Sequence, residues 1–258
     1  MDKGWALILG ASSGFGAAAA RALAAEGYSI FGVHLDRRSG MAQVDELKRE
    51  LEGLGVQERF FNMNAADPEK MEAALEEIAG IAGGDGRIQV LMHSLAFGTL
   101  GPFVGEKAIT PAQMDMTVRV MAHSLVDWTR AVVDRKLMGQ GGRIFAMTSS
   151  GSLRAIPSYG AVGAAKSALE AHCRQLAVEL APLGIAVNAL RGGVTDTPAL
   201  RRIPGHDRLM ELAKMVNPSG RLTVPEDVAR ALVALTSPNA YWITGNVINV
   251  DGGECITG

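Results

Sequence analysis

The sequence has few cysteines, and those present are not arranged for a disulfide bond or a metal. Only Cys173 and Cys255 occur among its 258 residues. They lie far apart in the chain and belong to no Cys-x-x-Cys or Cys/His pattern, which argues against a disulfide framework and against a zinc site. We interpret both cysteines as packing residues and predict no metal site.

Long basic runs and long apolar runs are also missing. The 25 Lys and Arg residues and 27 Asp and Glu residues give a net charge of −2, and no basic run is long enough to follow a phosphate backbone, so nucleic acid is not an expected partner. The longest apolar runs are interrupted well before the roughly 18 residues that a membrane span needs. The first ten residues, MDKGWALILG, lack the cleavage site of a signal peptide. We therefore expect a soluble, cytoplasmic protein without a membrane span.

What the sequence does contain is a regular alternation of short apolar runs with longer segments rich in alanine and leucine. The short runs have the composition of strands: ALILG, YSIFGVHL, VQERFFNM, IQVLMHSL, GGRIFAMTSS, GIAVNAL and NVINVDGG. Several are apolar at consecutive positions, which is typical of strands that helices cover on both faces. The intervening segments favour helices, the longest from Thr110 to Met138, and Gly27, Gly55 and Gly184 are placed to end helices. The alternation predicts an α/β fold with a doubly wound parallel sheet, in a single domain over residues 1–258.

One segment, residues 195–224, interrupts this alternation and is too long for a simple connection, which indicates a functional role. Prolines and glycines at 204–205 and 218–220 would serve as hinges around it. Between them an apolar stripe recurs at roughly helical spacing: Leu209, Met210, Leu212, Ala213 and Met215. We interpret residues 195–220 as a substrate-binding lid, the alternative being ordinary packing against the body of the protein or another subunit.

A glycine-rich turn, GASSGFG at residues 10–16, follows the first predicted strand and opens the first predicted helix. In that position glycines permit a tight turn, and backbone N–H groups at the helix N-terminus approach a pyrophosphate. The spacing is GxxxGxG rather than GxGxxG, so the motif alone is weak. Its place between a strand and a helix makes it a predicted dinucleotide site.

The group that reads the adenosine ribose is expected about 20 residues beyond the last glycine. There the chain has Asp36, Arg37 and Arg38. A carboxylate would bond the ribose hydroxyls of NAD, whereas arginines would pair with the 2′-phosphate of NADP. Both types are present, and the two consecutive arginines favour NADPH, with NADH possible.

The stretch YGAVGAAK places Tyr159 and Lys166 seven positions apart in a predicted helix. Seven residues are about two helical turns, so both side chains project from nearly the same side and a shared site is possible. The alternative is that Lys166 merely extends along the helix to solvent.

Five stretches together resemble the short-chain dehydrogenase/reductase superfamily. They are GASSGFG after the first strand, Asn64-Ala65 after the third, the helix with Tyr159 and Lys166, RGGVTDT at 191–197 and NVDGG at 249–253. The resemblance covers nearly the whole chain and implies a Rossmann fold of about seven parallel strands, assembled as a homotetramer. It also implies a cofactor site made by Gly10, Ser12, Ser13, Phe15, Gly16, Asp36, Arg37, Asn64, Ala65, Ser94, Leu95, Ala96, Lys166, Gly192, Val194 and Thr197.

The spacing of the tyrosine and the lysine departs from that of ordinary members of the superfamily. Those have YxxxK, but the residue four before Lys166 is Val162, which has no hydroxyl. The serine that lies thirteen positions before their tyrosine is matched by Ser149, whereas the position of their helix asparagine corresponds to Arg119. These departures weaken an assignment as a ketoreductase or alcohol dehydrogenase.

The spacing YxxxxxxK instead resembles the enoyl-acyl carrier protein reductases of the superfamily. Three further stretches are similar to them: LMHSLAFG at 91–98, RAIPSY at 154–159 and AKSALEA at 165–171. Their commonest branch has a second tyrosine ten positions before the first, where this chain has Ser149. The chain therefore looks more like a less common, NADPH-using branch that lacks this tyrosine.

This resemblance implies reduction of the C2–C3 double bond of trans-2-enoyl thioesters of acyl carrier protein or CoA, a step of fatty acid elongation. Tyr159 would hydrogen-bond the carbonyl oxygen as enolate charge develops, and Lys166 would hold the nicotinamide ribose. Ser149 would position substrate or a water, or would simply satisfy nearby backbone groups. Two other functions stay open: a 3-oxoacyl-thioester reductase or other alcohol or ketone dehydrogenase, and a dinucleotide sensor without catalysis.

Overall fold

Seven parallel strands form one sheet in the computed structural model, which describes residues 3–257. They are β1 (Trp5–Leu9), β2 (Ser29–His34), β3 (Glu58–Asn62), β4 (Ile88–His93), β5 (Arg143–Thr148), β6 (Ala186–Gly192) and β7 (Val247–Val250). The order across the sheet is β3-β2-β1-β4-β5-β6-β7, and every neighbouring pair is parallel. This is the doubly wound Rossmann arrangement, in which the direction of winding reverses between β1 and β4. The predicted fold and the positions of all seven predicted strands are confirmed.

Eight α-helices connect the strands in the described part of the chain. They are α1 (Gly14–Ala25), α2 (Met41–Gly53), α3 (Pro68–Ala82), α4 (Pro111–Val118), α5 (Ser124–Asp134), α6 (Gly160–Leu180), α7 (His206–Val216) and α8 (Pro225–Thr236). Short 3₁₀ turns occupy residues 38–40, 150–152, 181–183, 200–202, 238–240 and 254–256. Between residues 3 and 257, no helix combines the length and the apolar character needed to cross a bilayer.

The predicted helix from Thr110 to Met138 is interrupted and ends earlier. A π-helical turn, Arg119–His123, separates α4 from α5. The Ser124 hydroxyl donates to the Val120 carbonyl at 2.7 Å and lies 2.8 Å from the buried His93 ring, so a side chain enters the helical hydrogen-bond ladder at this point. The helix α5 ends at Asp134, and Lys136 two residues later has a left-handed φ of +57°.

Two apolar cores lie on the two faces of the sheet because the strands are apolar on both sides. Leu7 and Leu9 of β1 pack into the core that contains Trp128 of α5 and residues of α3 and α6. Ala6 and Ile8 face the opposite core, with residues of α1, α2 and α8. The alternation of side chains along a strand therefore explains why consecutive apolar residues are needed here.

The glycines that the sequence places at helix ends adopt the left-handed conformation. The φ angles are +94° at Gly27, +77° at Gly55 and +68° at Gly184. Because this region is costly for residues with a Cβ atom, these positions stop α1, α2 and the helical segment after α6 at the points where strands must begin.

Candidate active site

A cleft lies outside the carboxyl ends of β1, β4, β5 and β6, at the point where the winding of the sheet reverses. Ligands of doubly wound sheets bind there because the loops on either side diverge. The predicted site residues that line the cleft are Gly10, Ser12, Ser13, Phe15, Ser94, Leu95, Ala96, Ser149, Tyr159, Lys166, Gly192, Val194 and Thr197. The other predicted residues are absent from its lining: Gly16, Asp36, Arg37, Asn64 and Ala65.

The glycine-rich turn forms a cradle at the N-terminus of α1. Gly10 has a φ of +91°, and a Cβ atom there would lie 2.4 Å from the Ser94 carbonyl oxygen. A Cβ atom on Gly16 would lie 2.0 Å from the Gly10 carbonyl oxygen, so Gly16 lets the helix pack against the turn from behind. Ser13, the N-cap residue, makes no side-chain capping bond, which leaves the first-turn N–H groups available to an anion. The cradle fits the pyrophosphate of a dinucleotide.

The end of β2 carries the residues predicted to read the adenosine ribose. One carboxylate oxygen of Asp36 lies 2.9 Å from Nδ1 of the buried His34, and the Asp36 backbone is bonded on both sides by the Asn62 amide. Arg37 and Arg38 are exposed and have no ion-pair partner among residues 3–257. The carboxylate is therefore held by its own strand, whereas both guanidinium groups are available to a ligand phosphate.

Asn64 and Ala65 follow β3 and are fixed by local contacts. The Asn64 side-chain oxygen accepts from the Ala66 N–H at 3.0 Å, and the Ala65 carbonyl accepts from the indole N–H of Trp128 at 2.8 Å. These bonds set the shape of the loop next to the adenosine end of the sheet. In the described part of the chain, no group of three or more His, Cys, Asp or Glu side chains is arranged to hold a metal ion.

Tyr159 stands at the N-terminus of α6 and points its phenol into the cleft. Its hydroxyl lies 3.4 Å from Oγ of Ser149, near the outer limit of a hydrogen bond. Burial raises the pKa of Tyr159, against a smaller opposing effect of the Ser149 contact. The phenol therefore stays protonated, and can donate a hydrogen bond, throughout the neutral pH range.

Lys166 lies two turns along α6 and is 5% exposed, so the alternative in which it extends to solvent is wrong. Its ammonium donates to the Met147 carbonyl at 2.7 Å and to the Leu95 carbonyl at 3.3 Å, at the ends of β5 and β4. Burial lowers the pKa of Lys166 to about 8, against smaller opposing effects of Cys173 and Glu170. Two of the three N–H donors thus anchor the side chain, and the third remains for a ligand.

An apolar wall stands where the YxxxK spacing would place a tyrosine hydroxyl. Val162 is 4% exposed and lines the cleft beside Met121 and Leu100. A Cβ atom on Gly98 would lie 2.8 Å from Sδ of Met121 and 3.0 Å from a methyl group of Val162, so the wall is closely packed. This part of the cleft suits an apolar group rather than a proton donor.

The side chain of Arg119, the residue matched to the helix asparagine, does not reach the cleft. Its guanidinium lies 2.8 Å from the Asp127 carboxylate and is absent from the cleft lining. Met121, two residues further into the π-turn, lines the cleft instead. The π-turn changes which side chain faces the site, and no periodicity in the sequence signals such a turn.

Residues 10–254 match a family model described as Enoyl-(Acyl carrier protein) reductase. The chain belongs to this family. It is therefore an oxidoreductase of the short-chain dehydrogenase/reductase superfamily that works with a nicotinamide dinucleotide.

Known proteins similar to this reductase differ in the reaction that their names give. A 1-cyclohexenylcarbonyl-CoA reductase of Streptomyces collinus is 31% identical over 252 residues, which cover 97% of this chain and 86% of that protein. A 3-oxoacyl-[acyl-carrier-protein] reductase of Thermotoga maritima is 28% identical over 250 residues, covering 97% of both chains. The structure is also similar to the crystal structure of an enoyl-[acyl-carrier-protein] reductase (NADH) from Aquifex aeolicus, with a TM-score of 0.87 and 26% sequence identity. The match covers 100% of this chain and 98% of that one.

The segment interpreted as a lid in this reductase contributes to the cleft, but mostly through residues before α7. Leu209 is the member of the predicted stripe that lines the cleft, and Ala213 is buried. Leu212 and Met215 are 47% and 80% exposed, so the stripe as a whole does not face the site. Several lining residues lie inside the predicted lid but are not singled out individually by the sequence, because no helical spacing marks them: Pro198, Ala199, Leu200, Arg202 and Ile203.

Proposed function

We propose that this protein reduces the C2–C3 double bond of trans-2-enoyl thioesters, carried by acyl carrier protein or CoA, with NADPH as the preferred reductant. The observation that carries the proposal is the shared cleft of Tyr159 and Lys166 with apolar Val162 between them on α6. A proton donor is thus displaced along the helix from the place where a ketone reductase needs it. As part of the proposal, the protein works in fatty acid biosynthesis as a cytoplasmic homotetramer.

The geometry of the reaction explains why a displaced donor is useful. NADPH held by the glycine-rich turn and Lys166 would supply the hydride that this proposal adds to C3 of the enoyl group. The electron pair of the double bond then moves toward the thioester carbonyl, whose carbon lies two bonds from the attacked carbon, and a proton from solvent completes the reduction at C2. In ketone reduction, by contrast, the oxygen that becomes charged is bonded directly to the carbon that is attacked.

Tyr159 in this proposal donates a hydrogen bond to the carbonyl oxygen as negative charge develops on it. A donor already fixed at the site stabilises that charge without reorganisation. Lys166 holds the ribose hydroxyls of the nicotinamide through its remaining N–H and places a positive charge close to Tyr159. Ser149, at 3.4 Å from the phenol, positions Tyr159 or a water next to it.

The acyl chain in this proposal lies against the wall formed by Val162, Met121 and Leu100. Methionine adapts to flexible apolar ligands because its side chain is unbranched and polarisable. Residues 195–220 act as a lid over the chain, with Leu209 and Ile203 facing the cleft. The apolar wall and lid together favour an acyl substrate over a small polar one.

The preference for NADPH is tested by removing the two available guanidinium groups. Arg37→Ala with Arg38→Ala should lower the kcat/KM for NADPH by about 10- to 100-fold. Each charge-assisted bond to the 2′-phosphate is worth about 1.5–3 kcal/mol, and the contributions of the two arginines to binding the same phosphate do not add in full. The kcat/KM for NADH should change little. Steady-state rates with both cofactors give the ratio, and Arg59→Ala, which removes an exposed arginine of β3 that pairs with Glu77, is the control. An equal loss with both cofactors would contradict the assigned preference.

The reaction itself is tested by offering enoyl and 3-oxoacyl thioesters side by side, each with NADPH and NADH. We expect cofactor oxidation with the enoyl thioester and formation of the saturated acyl product. Rapid reduction of the 3-oxoacyl thioester with no enoyl activity would instead establish the second candidate, which the retained Ser149 and the similarity to the Thermotoga protein favour. Cofactor binding without turnover of either substrate would point to a dinucleotide sensor.

A further inference from the structure

A buried polar network lies directly behind the wall of the cleft. Its centre is an ion pair between Glu170 of α6 and Arg191 of β6, whose side chains are 9% and 8% exposed. Neither residue lines the cleft. Charged pairs removed from water this far are costly, and replacing one with apolar groups is often neutral or stabilising, so stability alone does not explain this pair.

One carboxylate oxygen of Glu170 lies within hydrogen-bond distance of groups from three parts of the chain. Oε1 accepts from the Thr148 hydroxyl at 2.7 Å, at the end of β5, and from Nη2 of Arg191 at 2.9 Å. It also lies 2.7 Å from the Ser152 hydroxyl, in the 3₁₀ turn that follows β5. The network therefore ties α6 to the turn that begins at Ser149.

Arg191 extends the network to the last strand of the sheet. Its Nη1 donates to the Asn249 side-chain oxygen of β7 at 3.1 Å, and Nη2 also lies 3.3 Å from the Ser152 hydroxyl. The next residue along the chain, Gly192, lines the cleft. The guanidinium thus fixes the ends of β6 and β7 relative to the same turn.

The turn in question packs directly on the Tyr159 ring. A Cβ atom on Gly151 would lie 2.4 Å from the ring of Tyr159, and one on Gly163 would lie 2.6 Å from the Gly151 carbonyl oxygen. The Ser152 N–H also donates to the Ser149 carbonyl at 3.1 Å. Any shift of the turn therefore moves the surface against which the phenol is held.

We propose that Glu170 is a positioning residue, which holds the Ser149–Ser152 turn against Tyr159 and so sets the direction of its hydroxyl, while Arg191 balances its charge. This rests on the proposed role of Tyr159. The required feature is the acceptor oxygen at Oε1, which draws Thr148 and Ser152 to α6. The charge on Glu170 serves only to balance that of Arg191.

Two double variants separate the acceptor from the charge. Glu170→Gln with Arg191→Met removes both charges but keeps a carbonyl oxygen for the two hydroxyls. Glu170→Leu with Arg191→Met removes both charges and the oxygen. The exposed pair of β3 and α3, changed as Arg59→Met with Glu77→Leu, is the matched control. Thermal unfolding and NADPH titration show whether each variant is folded and binds the cofactor.

We expect the Gln/Met variant to keep at least about half of the parent kcat. The Leu/Met variant should lose about 10- to 100-fold in kcat, with the thioester KM and the NADPH Kd nearly unchanged. A small misplacement of a group that contacts the reacting atoms lowers the rate of the chemical step strongly. In a Tyr159→Phe background the same Leu/Met change should add almost nothing, since the hydroxyl that it misplaces is already gone.

Equal losses in both double variants, or a full loss that persists in the Tyr159→Phe background, would overturn the proposal and leave a purely structural network. The comparisons are made as ratios to the parent on whichever thioester the parent reduces. A parent that ignores enoyl thioesters therefore contradicts the proposed function without deciding the positioning role, which the ratios decide separately.

Discussion

Tyr159→Phe should lower the kcat for enoyl-thioester reduction by about 10²- to 10³-fold, the usual cost of removing one donor to a developing oxyanion. The ring remains, so its packing against Gly151 is kept while only the hydroxyl is lost. The Kd of NADPH should stay the same, because the phenol in our proposal contacts the substrate oxygen. Stopped-flow hydride transfer and fluorescence titration of the cofactor measure the two quantities.

Tyr241→Phe provides a matched control for that experiment. Tyr241 is 63% exposed, lies outside the cleft, and loses the same hydroxyl. Unchanged kinetics in this control would show that the assay responds to the site rather than to any tyrosine. Turnover by Tyr159→Phe at the rate of the parent would remove the phenol from the mechanism, and Ser149, whose hydroxyl lies 3.4 Å from the phenol, would be the next hydroxyl to test.

Much of the fold could be predicted because the information is local. Strands such as ALIL are apolar at every position, and only a strand covered on both sides makes use of such a pattern. The glycines at 10 and 16 were identifiable because a Cβ atom has no room where a helix begins directly after a strand. The spacing of Tyr159 and Lys166 likewise translates directly into a shared helix face.

The parts that could not be predicted depend on contacts between distant segments. The π-turn that brings Met121 into the cleft requires Ser124 to meet Val120 and the His93 ring, which lies 31 residues earlier in the chain. The pairing of Glu170 with Arg191 likewise joins a helix to a strand, and either residue alone looks like an exposed charge in the sequence. Long-range polar contacts of this kind have no periodic signature.

Lys166→Met should abolish most activity, with a fall in kcat/KM of about 10³-fold, because both a bond to the ribose and the positive potential near Tyr159 are lost. In contrast to Tyr159→Phe, the Kd of NADPH should rise as well. Methionine matches the unbranched apolar stem of lysine and lacks only the terminal ammonium, so the buried stem is kept. Cofactor titration beside steady-state kinetics distinguishes the two variants.

The same variant should reveal the cost of burying the ammonium. The pKa of Lys166 is lowered from 10.5 to about 8 by desolvation, so between these pH values the unfolded chain binds a proton that the folded chain does not. The free energy of unfolding of the parent therefore rises with pH relative to that of Lys166→Met, by about 3 kcal/mol in total across this window. Below pH 8 Lys166 is protonated in the folded and the unfolded chain, and the burial of its charge then lowers the free energy of unfolding by the full amount.

Denaturant unfolding of parent and variant without cofactor, repeated from pH 7 to pH 11, measures this difference directly. Lys214→Met removes one exposed ammonium from α7 and controls for the loss of a positive charge. A difference between parent and Lys166→Met that stays constant across the whole range would mean that the ammonium is not desolvated, and that water reaches it from the cleft. A free energy of unfolding that rises for the parent relative to Lys166→Met between pH 8 and pH 10.5 would establish that the site holds its lysine at the expense of stability, which is the arrangement expected of a group kept for binding and catalysis.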